Sequence, residues 1–204
     1  MSNSIYRQLL PSDTEAAAEV ISQAFVDDPL VSFMLPIRRT RIQTLKKFFR
    51  VYCELEIHNG CGFGVGEPLA GVAFWKFPDR QGSSISVKLL GKLLPLMFTM
   101  YPIGFYRARE VMKRIDDLHE KYATEAHFYL DNLGLLASSR GQGLSSGLIR
   151  PFMELADRQK VIAYTDTVTE SNVPYYEHFG FKCVEESPVE KTGITVYALR
   201  RPVQ

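Results

Sequence analysis

The segment Arg140-Gly141-Gln142-Gly143-Leu144-Ser145-Ser146-Gly147 lies between an extended run and a helical one. Its position says more than its glycine count. Gly141 and Gly143 permit backbone conformations and close approaches that side chains block. They stand where the first amide N–H groups of a helix lack an internal partner. Those N–H groups, with the positive end of the helix dipole, suit a pyrophosphate. The plainer reading of the loop taken alone is a turn that joins strand to helix. Two other phosphate-binding patterns fail on spacing. A Walker loop needs G-x-x-x-x-G-K-[ST], and no such lysine follows. A dinucleotide fingerprint needs G-x-G-x-x-G, whereas Gly141, Gly143 and Gly147 read G-x-G-x-x-x-G, after a strand late in the chain.

The elements that position this loop alternate regularly. Periodicity predicts a strand over 126–135, a helix over 144–158, a strand over 161–168, a helix over 173–179 and strands over 182–186 and 192–199. The first four make a strand, crossover helix and parallel strand of right-handed sense. Pro151 removes one backbone hydrogen bond, to Gly147, and should bend its helix.

The N-terminal half reads as a short strand over 6–9 and a helix opened by a Ser12 and Glu15 capping box. That helix buries Ala17, Val20, Ile21, Ala24 and Phe25, and it stops at Asp28-Pro29. A second helix spans 39–58, with Ile42, Leu45, Phe49, Tyr52 and Cys53 inward. Arg38, Arg39, Arg41, Lys46, Lys47 and Arg50 crowd its start as a solvated face or an anion-facing patch. Strands over 61–65 and 69–75 flank Gly66-Glu67-Pro68 as a hairpin. A helix over 110–122 is marked by Val111, Ile115, Leu118 and Tyr122. Between lies an apolar insertion whose Leu89, Leu93, Leu96, Met97 and Tyr101 read as helical core or as a cover over an apolar pocket.

Composition bounds the function. The chain has 204 residues, 24 Lys plus Arg against 23 Asp plus Glu, a net charge of +1, and is 46% hydrophobic and 12% aromatic. Such a balance describes a globular domain and argues against a dedicated nucleic-acid binder, which needs a basic excess. Cys53, Cys61 and Cys183 have no zinc-ligand spacing and read as reduced, and no metal site is suggested. The first residues lack a basic and apolar leader, so a cytoplasmic enzyme is expected. Lys92, Pro95 and Pro102 interrupt the longest apolar stretch, leaving 14 uncharged residues from Leu93 to Tyr106. A membrane span needs about 20.

Here the sequence resembles the GNAT N-acetyltransferase superfamily, whose acetyl-CoA loop reads [QR]-x-x-G-x-[GA]. Residues 140–145 match except at the last position, where Ser145 is still small. Asn172-Val173-Pro174-Tyr175-Tyr176-Glu177-His178-Phe179-Gly180-Phe181 is similar to the second family motif, in which an Asn opens a short helix and a Tyr precedes the closing Gly-Phe. Three further segments resemble the branch containing puromycin N-acetyltransferase. They are Ala24-Phe25 through Asp27-Asp28-Pro29-Leu30 with Leu35-Pro36, Gly71-Val72-Ala73-Phe74-Trp75 with Pro78, and His127-Phe128-Tyr129-Leu130 leading into Leu133-Gly134-Leu135.

The resemblance implies an α+β GNAT acyltransferase fold, a mixed central sheet of about seven strands flanked by helices. Residues 1–204 would be one domain with a helical insertion at 83–122 as a substrate cover. Leu133, Gly134 and Leu135 would pair with the pantetheine arm of acetyl-CoA, the cosubstrate. Arg140, Gly141, Gln142, Gly143, Leu144, Ser145 and Ser146 would hold the pyrophosphate. Asn172 would bind pantetheine, cap its helix, or both. Tyr176 would protonate the departing thiolate, since a phenol with an unperturbed pKa of about 10 is protonated at neutral pH. Tyr175 would point about 100° away and pack.

Some relatives place a Glu where this chain has Tyr129. Asp131, two residues on and so on the same face, is the nearest substitute as base; a paired structural Asp, or a water chain to the amine, are the alternatives. The implied reaction moves an acetyl group to a primary amine of a small molecule by direct attack. A noncatalytic acyl-CoA-binding module and a protein or peptide N-acetyltransferase are the alternatives. A closed aromatic pocket lined from Trp75, Tyr101 or Tyr106 would favour small amines. A homodimer through 83–106 would cover an exposed apolar insertion.

Overall fold

The computed structural model describes residues 6–80 and 102–204. In chain order the elements are β1 (Arg7–Gln8), α1 (Thr14–Phe25), α2 (Pro29–Met34), α3 (Arg38–His58), β2 (Gly62–Val65), β3 (Gly71–Lys76), α4 (Pro102–Tyr122), β4 (His127–Leu135), α5 (Leu144–Gln159), β5 (Ile162–Thr167), α6 (Val173–Glu177), β6 (Lys182–Val189) and β7 (Ile194–Arg201). One seven-stranded sheet runs β1-β2-β3-β4-β5-β7-β6. Only β4 and β5 are parallel, joined through α5, and every other neighbouring pair is antiparallel. This is the mixed α+β architecture expected.

The period-2 alternation of the strands divides the core between the two sheet faces. On β3, Ala73 and Trp75 pack with Phe128, Leu130, Phe152 and Met153 beneath α5. Val72 and Phe74 point the other way, onto Ile21 of α1 and Leu45 and Phe49 of α3. Farther along that second face, Val111 and Leu118 of α4 cover Ile162, Tyr164, Val196 and Ala198. Trp75 is fully buried, stacks on Phe152 with centroids 4.8 Å apart, and donates its indole N–H to the Leu148 carbonyl at 3.0 Å. It is core and does not line a substrate pocket.

Several local readings change. Ser12 does not open α1. A 3-10 turn over Pro11–Asp13 precedes it, and Asp13 accepts from the Leu10 N–H and the Arg7 guanidinium instead. Asp28-Pro29, read as a stop, starts α2: the Asp28 carboxylate accepts from the Leu30 and Val31 N–H groups, with Pro at the first helical position. Four of the six cations clustered on α3 have partners, and the face stays largely solvated. Lys46 pairs with Glu19 at 2.7 Å, Arg50 with Glu15 at 2.6 Å and Arg38 with Asp27 at 3.4 Å. Arg41 is buried and donates to the carbonyls of Leu35 and Val26 and to Ser32 Oγ. The α5 helix runs from Leu144 to Gln159 with Pro151 inside it. Leu89, Leu93, Leu96, Met97 and Tyr101 lie outside the described residues, as does most of the segment proposed for a dimer.

Candidate active site

The site begins where β4 and β5 part. Their parallel pairing runs from His127↔Ile162 to Leu130↔Thr165 and stops there. Opposite, β4 pairs with β3 through Leu130↔Trp75 and then Asn132↔Phe74, which leaves Asp131 as an extra residue. Such a bulge bends its strand and increases local twist. Beyond it, Leu133, Gly134 and Leu135 remain paired to Ala73, Val72 and Gly71 on one side. Their other edge has no partner on β5. Gly134 is also needed for packing, since an added Cβ would lie 3.0 Å from Ala24 Cβ of α1.

A cavity of about 350 Å³ opens at this fork. Its apolar wall comes from α1, α2 and α3, with Phe25, Leu30, Met34, Phe48 and Phe49, and from α4, with Met112 and Ile115. Its polar groups are Asp28, Tyr52, Tyr129, Asp131, Asn132, Thr165, Asp166, Asn172 and Tyr176. Tyr106, offered by sequence as a pocket wall, is 70% exposed and lies under the Arg109 guanidinium.

Each polar group is positioned by a named contact. Asp131 accepts from the Tyr52 hydroxyl at 2.6 Å, and Asn132 Nδ2 donates to the same hydroxyl at 2.9 Å. The Lys76 ammonium lies 3.8 Å from Asp131 and is ion-paired with buried Glu56. Tyr129 donates to Asp166 at 2.9 Å. Burial pushes the Asp166 carboxyl up to about 7, against the hydrogen bond from Tyr129, and the neighbouring charges of Asp131 and Asp116 add to the rise. Burial likewise raises Asp28, partly offset by the Val31 and Leu30 N–H groups. Asp166 carried no signal in the sequence, because its role depends on where β4 ends its pairing.

Tyr176 reaches the fork from α6. It is buried, with its ring edge-on to Tyr175 and Phe181. Burial raises its hydroxyl well above the usual phenol range, and a hydrogen bond with Thr165 partly offsets that. Thr165 in turn donates to the Leu130 carbonyl at 2.9 Å. Tyr175 is half-buried and packs on Phe179, as expected. Asn172 makes no side-chain cap on α6 and donates instead to Thr167 Oγ1 at 3.1 Å. The capping alternative is therefore replaced by a link from α6 to the end of β5.

The glycine loop lies at the N-terminus of α5. Gly141 and Gly143 have φ of 74° and 75°, the left-handed region, with nothing within 4 Å of an added Cβ. The loop is tied down by Gln142, whose side chain donates to the Ser138 carbonyl at 2.9 Å. Arg140, Gly141, Gln142 and Gly143 are exposed; Leu144, Ser145 and Ser146 begin the helix.

Residues 121–201 match the acetyltransferase (GNAT) domain family. The matched stretch holds the fork, the glycine loop and the Asn172 and Tyr176 helix. The chain is 27% identical over 185 residues to an uncharacterized N-acetyltransferase of Schizosaccharomyces pombe, covering 83% of this chain and 70% of that one. It is 23% identical over 193 residues to a probable serine/threonine-protein kinase of Dictyostelium discoideum, covering 86% of this chain but only 20% of that protein's length. Among solved structures, arylalkylamine N-acetyltransferase 2 from Aedes aegypti superposes with a TM-score of 0.62 at 16% identity, with 100% of each chain covered. The fold is the GNAT fold, and the stretch that matches the acetyltransferase domain family holds its central strands. No helix of the described residues is long and apolar enough to cross a membrane, and no group of three or more His, Cys, Asp or Glu among them is placed to hold a metal.

Proposed function

We propose that the protein transfers an acetyl group from acetyl-CoA to the primary amine of a small, largely apolar molecule. The observation that carries this reading is the fork: a β4 edge at Leu133–Leu135 that has no strand partner on this side among the described residues leads into a carboxylate-bearing apolar cavity lined also by Tyr176. An extended pantetheine arm, with amide groups spaced along it, is the kind of partner a free strand edge takes. The glycine loop fits the other end of acetyl-CoA, because Gly141 and Gly143 turn the chain and leave open space at the N-terminus of α5. When bound, the thioester supplies the activated acyl group.

The chain's own residues divide the work by sheet face. Tyr176, among the core residues of the α5 face, holds a proton that burial keeps on the phenol and gives it to the departing sulfur. Asp131 and Asp166 face the acceptor cavity from β4 and β5. Asp131 draws the acceptor's ammonium group by charge, while Phe25, Met34, Phe48 and Phe49 receive its apolar body. Asn172 orients the pantetheine arm near the end of β5. Such a pocket favours a small molecule over a polypeptide segment, in keeping with the resemblance to the puromycin N-acetyltransferase branch and with the arylalkylamine acceptor in the Aedes enzyme's name. Thiol release from acetyl-CoA, measured across a panel of aromatic and aliphatic amines, polyamines and peptides, tests the reading: release should be greatest with apolar monoamines.

A further inference from the structure

We propose that Asp166 is the general base that takes the acceptor's proton, and that Tyr129 is the positioning residue that aims it. The inference rests on the transferase reading above and assigns the one chemical role left open there.

Two carboxylates at the fork compete for this role, and their surroundings separate them. Asp131 is committed: Oδ2 accepts from the Tyr52 hydroxyl at 2.6 Å and lies 3.8 Å from the Lys76 ammonium. Its carboxylate is thus already engaged by a phenol and faced by a cation. Asp166 is the first β5 residue beyond the last β4 pair. Among the described residues its carboxylate accepts from the Tyr129 hydroxyl alone, at 2.9 Å.

The ionisable groups coupled electrostatically to Asp166 are acids and phenols. Asp131 and Tyr129 face it from β4, Asp116 from α4, Tyr164 from its own strand and Tyr176 from α6. His119 of α4 stacks on the Tyr164 ring and packs tilted against Tyr129, and burial beside His127 holds it down to about 4, so it is uncharged at neutral pH. Among the described residues no cation is paired with Asp166 itself; Lys76 faces Asp131. Burial and the charges of Asp131 and Asp116 favour the protonated carboxyl, while the single Tyr129 bond favours the ionised one. The balance near pH 7 matches what a base working at neutral pH requires.

Tyr129 on β4 thus holds the β5 carboxylate across the fork. Asp166 takes one proton from the acceptor's ammonium group, exposing the nitrogen lone pair. The N–C bond to the acyl carbon forms and the C–S bond breaks. The sulfur receives the Tyr176 proton, and the second proton lost by nitrogen restores Tyr176 through solvent. Asp166 gives its proton to water, so one proton leaves per turnover.

The test is the pH profile of kcat/KM in wild type, Asp166→Asn, Tyr129→Phe and Asp131→Asn, with acetyl-CoA affinity measured by calorimetry in each. Wild type should lose activity below a limb near pH 7. Asp166→Asn should lower kcat/KM about 10²- to 10³-fold at pH 7, bind acetyl-CoA as wild type does, and recover toward wild type above about pH 9, where amines of pKa near 10 begin to supply their own free base. Tyr129→Phe should move the limb upward and Asp131→Asn should move it downward. In protein labelled at aspartate carboxyl carbons, the resonance missing from Asp166→Asn should titrate near pH 7. An active wild type whose limb survives in Asp166→Asn, or disappears in Asp131→Asn instead, overturns the assignment of the base. Titration of Asp166 in the ordinary carboxylate range overturns it even in an unstable or slow variant. A wild type that binds acetyl-CoA but releases no thiol with any amine overturns the transferase reading itself.

Discussion

Thr165 Oγ1 donates to the Leu130 carbonyl at 2.9 Å, at the last paired position of β4 and β5. The same threonine is in hydrogen-bonding contact with Tyr176. The point where the sheet opens and the proposed acid are thus joined by one side chain.

Tyr176→Phe removes one hydroxyl and keeps the ring that packs on Tyr175 and Phe181. A loss of about 10²-fold in kcat is expected, the lower end for a general acid, with acetyl-CoA affinity nearly unchanged. Steady-state rates and calorimetry on one preparation decide it. An equal fall in affinity would assign Tyr176 to binding.

Gly143→Ala places a Cβ at φ 75° with open space around it. The expected cost is about 1 kcal/mol of backbone strain with no steric clash. A larger effect should appear in acetyl-CoA affinity, because the Cβ would occupy the space proposed for the pyrophosphate. Denaturant unfolding gives the first number and titration the second.

Arg41 is buried and holds the Leu35 and Val26 carbonyls and Ser32 Oγ, bracketing α2. Arg41→Ala leaves those acceptors unpaired, at an expected cost of about 2–3 kcal/mol. Since α2 carries Leu30 and Met34 into the cavity, the acceptor KM should rise more than the KM for acetyl-CoA. Arg41→Lys should restore little, because one ammonium cannot span the three acceptors.

His119 and His127 meet at 2.8 Å between α4 and β4. Burial, then the neighbouring His127, holds His119 down to about 4, below its unfolded value near 6.5. Its contribution to stability is therefore fully present above pH 6.5 and is lost as the pH falls toward 4. Asp166 has the opposite sign: its raised pKa contributes stability below about 4 that is lost as the pH rises through 7. Melting temperatures of wild type and His119→Gln between pH 4 and 8 should converge on acidification. A constant difference would remove His119 from the linkage.

Much of this molecule was legible in the sequence because periodicity and local turn chemistry report local structure. The β4, α5, β5 unit and the β2 and β3 hairpin follow from apolar spacing and glycine placement, and both glycines of the loop take the left-handed conformation their type suggested. The pairing of Arg38, Lys46 and Arg50 was not legible, because their partners Asp27, Glu19 and Glu15 lie outside α3, on α1 and in the turn that follows it. Asp28-Pro29 was ambiguous because a proline that ends one helix also begins the next, and only the carboxylate's bonds to Leu30 and Val31 distinguish the two. Asp166 was invisible for a deeper reason. Its properties come from burial and from Tyr129, Asp131 and Asp116, on β4 and α4, a meeting that no sequence period announces.

The central claim is acetyl transfer at the fork between β4 and β5. The most direct measurement is calorimetric titration with acetyl-CoA followed, in the same preparation, by amine-dependent thiol release. Binding near one equivalent, with thiol release that requires an apolar primary amine and collapses in Tyr176→Phe, is the predicted result. Binding without release across the whole panel, or no binding at all, would contradict it.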